Sequence, residues 1–126
     1  MEAATAFSPD DPIFAGHFPG NPLVPGVILT EALAQAAGIA AAAVHSEEAR
    51  PLFLLSAIRS MKFLRVVRPG EQIRLSARRM AAMGELLQFE VEARVGDLQV
   101  AVGQLVLANS RTRPDDQTRL TGLDRP

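Results

Sequence analysis

The sequence predicts an α+β domain, in which an antiparallel sheet wraps around one long buried helix. Three observations carry this. The run from Val27 to Val44 is rich in alanine and leucine and contains no proline. Two later stretches alternate strictly between apolar and polar residues. Turns that carry glycine or proline punctuate that later part. With 126 residues the chain has room for one domain and not for two of ordinary size.

Residues 1–26 hold Pro9, Pro12, Gly16, Pro19, Gly20, Pro22, Pro25 and Gly26, a density that forbids a helix and favours a tightly prescribed loop. Residues 27–44 follow as one helix, apolar almost all round and so expected to be buried on most sides. Its polar exceptions, Glu31 and Gln35, stand one turn apart on a single face. After a polar connection from His45 to Pro51, Phe53 to Val67 reads as a long, less regular strand ended by Arg68-Pro69-Gly70-Glu71. Ile73, Leu75 and Ala77 alternate with Gln72, Arg74, Ser76 and Arg78. Leu87, Phe89, Val91, Ala93 and Val95 alternate with Gln88, Glu90, Glu92 and Arg94. Such alternation gives a sheet with one buried and one wet face. Val95-Gly96-Asp97-Leu98 fits a two-residue hairpin with glycine first, as a type II′ turn needs. Leu98 to Leu107 is apolar on both sides, which suits an inner or an interface strand. The domain is expected to span 1–109, and the polar residues 110–126 to form a disordered tail. A single sheet covers only part of such a helix, so a dimer is expected.

Composition excludes several chemistries. Hydrophobic residues make up 48% and charged residues 21%, as in a compact domain. The net charge of −1 speaks against a nucleic-acid binder. With no cysteine and only two histidines, disulfides, thiolate nucleophiles, Cys-ligated zinc and a three-His zinc site are all ruled out. The first residues lack the basic start and apolar run of a signal peptide. The 18-residue apolar run is a poor membrane span, because it carries Thr30, Glu31 and Gln35 and is mostly alanine after Leu29. A cytoplasmic location is the expectation.

The chemistry concentrates in Gly16-His17-Phe18-Pro19-Gly20-Asn21-Pro22-Leu23-Val24-Pro25-Gly26-Val27, followed by Glu31 and Gln35. His17 lies in a loop stiffened by proline, which fixes it at low entropic cost. Glu31 lies among Ile28, Leu29, Ala32 and Ala34, and is expected to be desolvated and so to serve as a proton donor near neutral pH. The helix start near Gly26 offers free N–H groups to a carbonyl oxygen that gains negative charge. Base, acid and oxyanion donor together suit proton abstraction beside a carbonyl followed by elimination. Taken residue by residue, plainer readings stand beside this one. A histidine in a proline-rich loop serves structure as readily as catalysis, and Glu31 with Gln35 equally suits a solvent-facing stripe.

This stretch resembles the signature of the 3-hydroxyacyl-[acyl-carrier-protein] dehydratases, whose loop reads Gly-His-Phe-Pro-Gly-x-Pro-x-x-Pro-Gly-Val and leads into a helix bearing an acid and a glutamine. Met61-Lys62-Phe63-Leu64-Arg65-Val66-Val67-Arg68-Pro69-Gly70-Glu71 is similar to the family's later strand and turn, and the likeness covers about residues 5–108. It implies the hotdog fold, His17 handling the proton on C2, and Glu31 helping the 3-hydroxyl leave. It also implies Gly26 and Val27 amides on the thioester carbonyl and Gln35 supporting the acid. Glutamate at 31 resembles the branch that dehydrates without isomerising the double bond. The resemblance further implies a homodimer with sites shared between subunits, extendable to a hexamer, and no metal or redox cofactor. Phe53 and Phe63 are candidates to line the acyl tunnel. Lys62, Arg65 and Arg68, with Arg78 and Arg79, are candidates to dock the acidic acyl carrier protein, or simply populate a solvated strand face. His45 is assigned to the helix C-terminus with no catalytic role. A hotdog thioesterase and a non-catalytic acyl-binding subunit are the alternatives; the His-Phe-Pro-Gly loop opposes the first, and the presence of both His17 and Glu31 opposes the second. Two departures stand out: only 16 residues precede His17, so either the sheet is one strand short or Ala4 to Phe7 supplies a stub, and Arg59 stands where an acid is expected. They point to a specialised lipid or polyene pathway.

Overall fold

The computed structural model describes residues 1–8, 10, 23–43 and 52–110. In chain order these form strand β1 (Glu2–Thr5), helix α1 (Gly26–Ala42) and strands β2 (Phe53–Phe63), β3 (Ile73–Met83), β4 (Leu86–Val95) and β5 (Leu98–Asn109). The strands make one sheet in the order β1-β3-β4-β5-β2, with every neighbouring pair antiparallel. The helix lies across one face of this sheet, packed chiefly on β3.

The alternating strands behave as expected. On β4, Leu87, Phe89, Val91 and Ala93 are buried while Gln88, Glu90, Glu92 and Arg94 are half-exposed on the other face. β5, apolar on both sides, is an inner strand between β4 and β2. The hairpin at Gly96-Asp97 pairs Val95 with Leu98. A second two-residue hairpin, at Gly84-Glu85, pairs Met83 with Leu86 and was not foreseen. Both glycines have φ of 59°, the left-handed conformation that a tight hairpin turn needs and glycine accepts at no steric cost.

Four boundaries differ from expectation. The helix covers 26–42 rather than 27–44, β2 stops at Phe63 rather than Val67, and the N-terminal strand lies at Glu2–Thr5, earlier than Ala4 to Phe7. Beyond Phe63 the chain leaves the sheet edge, and Val67 buries its side chain while its carbonyl accepts from the Val24 N–H at 2.7 Å. The Gly70 N–H donates to the Phe7 carbonyl at 2.7 Å, which ties the N-terminal segment across this turn. The last strand was expected to span Leu98 to Leu107; β5 runs on to Asn109. The expected tail lies outside the described residues from position 111 onward.

The core joins Leu29, Leu33, Ala36 and Ala37 of the helix to Ile73, Leu75, Phe89, Val91, Leu105 and Leu107 of the sheet. Alanine on the inward helix face lets the backbone settle closely on the strands, while each fully buried large side chain contributes about 1.5–3 kcal/mol. β2 is bulged twice, with Ser56 and Arg59 as the extra residues against β5. Over the second bulge the strand presses on Gly103, where an added Cβ would meet the Ser60 carbonyl and come within 2.9 Å of Met61 Sδ. Among the described residues no helix is long and apolar enough to cross a membrane.

Candidate active site

The helix start is built by two segments distant in sequence. Pro25 is the N-cap residue, extended at φ −63° and ψ 147°, and its carbonyl accepts from Ile28 (3.0 Å) and Leu29 (3.2 Å). The N–H groups of Gly26 and Val27 precede those bonds and have no acceptor among the described residues. Phe63, at the end of β2, lays its ring against Gly26, so that a Cβ there would come within 2.9 Å of the ring. Glycine at 26 is therefore required by a neighbour, and the strand-end phenylalanine fixes where the two free amides sit.

One turn further along, Glu31 stands on the same outward stripe as Val27, Gln35 and Ile39. Gln35 Nε2 donates to Glu31 Oε2 at 3.2 Å, the supporting contact expected from the sequence. The expected desolvation is not met within one chain: Glu31 is exposed. The reason is rotational, because Leu29 and Leu33 turn into the core and leave positions 27, 31, 35 and 39 facing away from the sheet. In the single chain the helix is thus not apolar and buried all round; Val27 and Ile39 are 72% and 60% exposed.

Between this helix and β2 lies a cleft of about 810 Å³. Val27, Thr30, Glu31 and Gln35 line one end, Gly38 and Ala42 follow along the helix, and Phe53, Leu55 and Ile58 form the opposing wall. Thr30 closes its polar side inward by donating from Oγ1 to the Gly26 carbonyl at 2.9 Å, so it presents little polarity to the cleft. Amides, carboxylate and an apolar trough therefore follow one another along one helix. That succession suits a ligand with a carbonyl at one end, a hydroxyl a short way in and an apolar tail.

Of the tunnel candidates, Phe53 does line the cleft, whereas Phe63 does not and is instead committed to the helix start. Thr30, Gly38 and Ala42 were missed; their signal was the helical spacing from Glu31, which places them beside the acid on the same groove. Lys62, Arg65 and Arg68 are exposed at and beyond the end of β2, while Arg78 pairs with Glu90 at 2.5 Å on the outer sheet face. Arg59 is exposed at the second bulge of β2. His17 and His45 both lie outside the described residues.

Known proteins resemble the chain over most of its length. The family model for ApeI-like dehydratases, described as ApeI dehydratase, matches residues 1–104. Across 98 residues the chain is 40% identical to the 3-hydroxyacyl-[acyl-carrier-protein] dehydratase FabZ of Alkalilimnicola ehrlichii, over 76% of this chain and 63% of that protein. It is 39% identical across 101 residues to FabZ of Chloroflexus aggregans, over 80% of this chain and 69% of the relative. The chain thus spans about two thirds of the length of these relatives. Among solved structures, the fluoroacetyl-CoA thioesterase FlK superposes with a TM-score of 0.74 at 16% identity, covering 100% and 93% of the two chains. The dehydratase heterocomplex ApeI:P from Xenorhabdus doucetiae gives 0.61 at 24%, covering 86% of each. A hexameric thioesterase from Yersinia pestis, y2039, gives 0.71 at 15%, covering 87% and 86%. These structural likenesses establish the hotdog fold and nothing finer.

Proposed function

Because the chain belongs to the ApeI-like dehydratase family, we propose that it removes water from 3-hydroxyacyl thioesters carried on acyl carrier protein, giving trans-2-enoyl thioesters. The observation that carries this reading is the line of free Gly26 and Val27 amides, Glu31 held by Gln35, and an apolar cleft, all along one helix.

In this mechanism the thioester carbonyl accepts from the amides at the helix start, where negative charge develops as the C2–H bond breaks. His17 takes the C2 proton, the role its place in the His-Phe-Pro-Gly loop carries in the family. The electron pair forms the C2=C3 bond while the C3–O bond breaks, and the hydroxyl leaves with the proton of Glu31 as water. The proton on His17 returns through solvent to Glu31, which resets the site. A second copy completes it. The apolar residues exposed around the cleft, Val27, Ile39, Leu54, Leu55 and Ile58, form a face suited to such a copy. Covering that face takes Glu31 out of water and closes the site around it. The hexameric neighbour supports assembly beyond the dimer. Lys62, Arg65 and Arg68, exposed at and beyond the end of β2, suit docking of an acidic carrier.

The test is to supply a 3-hydroxyacyl carrier thioester and follow enoyl formation and free thiol together. The expected result is enoyl product without thiol; thiol alone would mean a thioesterase, and neither product a binding subunit. His17→Ala and Glu31→Ala are each expected to lose about 10²–10⁴-fold in kcat. Mixing the two variants under subunit exchange is expected to restore part of the activity, since a mixed dimer regains one intact pair.

A further inference from the structure

We propose that Gly38 sets how long an acyl tail the cleft accepts; this rests on the dehydratase reading above. The direction of the substrate follows from the order of groups along α1. The free amides of Gly26 and Val27 mark the thioester end, Glu31 marks the 3-hydroxyl, and the tail then runs toward the helix C-terminus. From Glu31 to Ala42 the cleft follows three turns of helix, roughly 16 Å of groove. Between those residues the helix lines the cleft with Ala34, Gln35, Gly38 and Ile39, and the opposite wall includes Phe53, Leu55 and Ile58.

Glycine in the middle of a helix needs a reason, because it is among the poorest helix formers. At position 38 neither the backbone nor packing among the described residues supplies one. Its φ is not positive, and among those residues an added Cβ would meet only the Phe53 carbonyl oxygen, at 3.7 Å, an ordinary contact. Gly26 and Gly103 differ in this respect, since at both an added Cβ would collide with a neighbour. What glycine at 38 does is leave the groove open halfway along its length, opposite Phe53. A side chain there would fill the groove beyond the reacting carbons, so it would obstruct a long tail and leave a short one largely untouched.

The experiment compares the full chain with Gly38→Ala and Gly38→Leu, using four-carbon and twelve-carbon 3-hydroxyacyl thioesters as substrates. Binding of butanoyl- and dodecanoyl-pantetheine is measured alongside by calorimetry, because these saturated thioesters cannot be dehydrated. The twelve- to four-carbon ratio of kcat/KM is expected to fall a few-fold in Gly38→Ala and at least tenfold in Gly38→Leu, with the binding ratio falling in parallel. Gly38→Ala is also expected to raise Tm, since alanine is the better helix former, so lost selectivity in that variant cannot be blamed on misfolding. If Gly38→Leu does not fold, the alanine variant decides. Ratios that stay constant in the variants, or wild-type protein that binds both lengths equally, overturn the proposal. If no substrate is dehydrated while the binding ratio still shifts, the dehydratase reading fails and the assignment of Gly38 survives.

Discussion

β2 and β4 are nearly equal in length and similarly rich in apolar residues, yet they meet water in opposite ways. In β4 every second side chain is buried, whereas in β2 Leu54, Leu55 and Ile58 are 49%, 43% and 52% exposed. The difference lies in position. β4 runs under the helix with a strand on each side, and β2 is the outermost strand, across the cleft from the helix. An apolar side chain at an open edge has stability to gain only when something else arrives, whether a tail or a second subunit. The interior strand holds the fold, and the edge strand holds the contacts the fold leaves for others.

The contrast is broken most strongly from the interior side. Phe89→Ala is expected to cost about 3–5 kcal/mol of stability, read from a shifted denaturant midpoint, because it opens a cavity in a close-packed core. A cost under 1 kcal/mol would show that the core collapses around the gap and that β4 is not the structural strand described. On the edge, Ile58→Asp is expected to weaken self-association by about 2 kcal/mol, as a charge is placed in the covered face. Sedimentation at several concentrations reads this effect, and the stability of the dissociated chain is expected to change little. An unaltered association constant would place the second copy elsewhere.

The smallest effect belongs to the wet face of β4. There Glu92 is partly desolvated, which favours its neutral form, but it accepts from Arg94 and Gln99 and feels the Arg94 charge, and the balance holds its carboxyl below the ordinary glutamate value. A lowered folded-state value means stability that is present above the ordinary value of 4.5 and is lost as pH falls through the folded one. The stability advantage of the native protein over Glu92→Gln is therefore expected to be under about 1 kcal/mol near neutral pH, and to fade below pH 4.5. Melting curves from pH 7 to pH 3 measure it, and an advantage that grows on acidification would reverse the sign.

Legibility from sequence followed the same division. β4 could be read because burial of one face against its own chain leaves a period of two in the residues, and β5 because a run apolar on both sides suits an inner strand. β3 reads cleanly only as far as Arg78. Met80 then enters as an extra residue opposite β4, the alternation slips by one, and with it went the signal for the hairpin at Gly84-Glu85. The motif residues pointed to the helix start and to Glu31, and the helical period was enough to put Gln35 within reach of the acid. The exposure of Glu31 was one of two readings the sequence left open, and the need for a partner surface on the helix was legible from its apolar girth. That β2 in particular stands exposed was not legible, because its apolar residues read as buried in their own chain. Phe63 was assigned to the tunnel by type alone; its actual partner, Gly26, lies 37 residues away in sequence, beyond any local periodicity.

Gly103 gives the bulged edge a consequence for solubility. A straight apolar strand at the rim of a sheet is a template on which copies can add without end, the first step toward a fibre. With no side chain at 103, β2 can sink onto β5 and carry extra residues at Ser56 and Arg59, which bend it and interrupt its regular array of backbone donors and acceptors. An edge shaped in this way matches one neighbour of the same curvature and offers the next arrival no flat ladder.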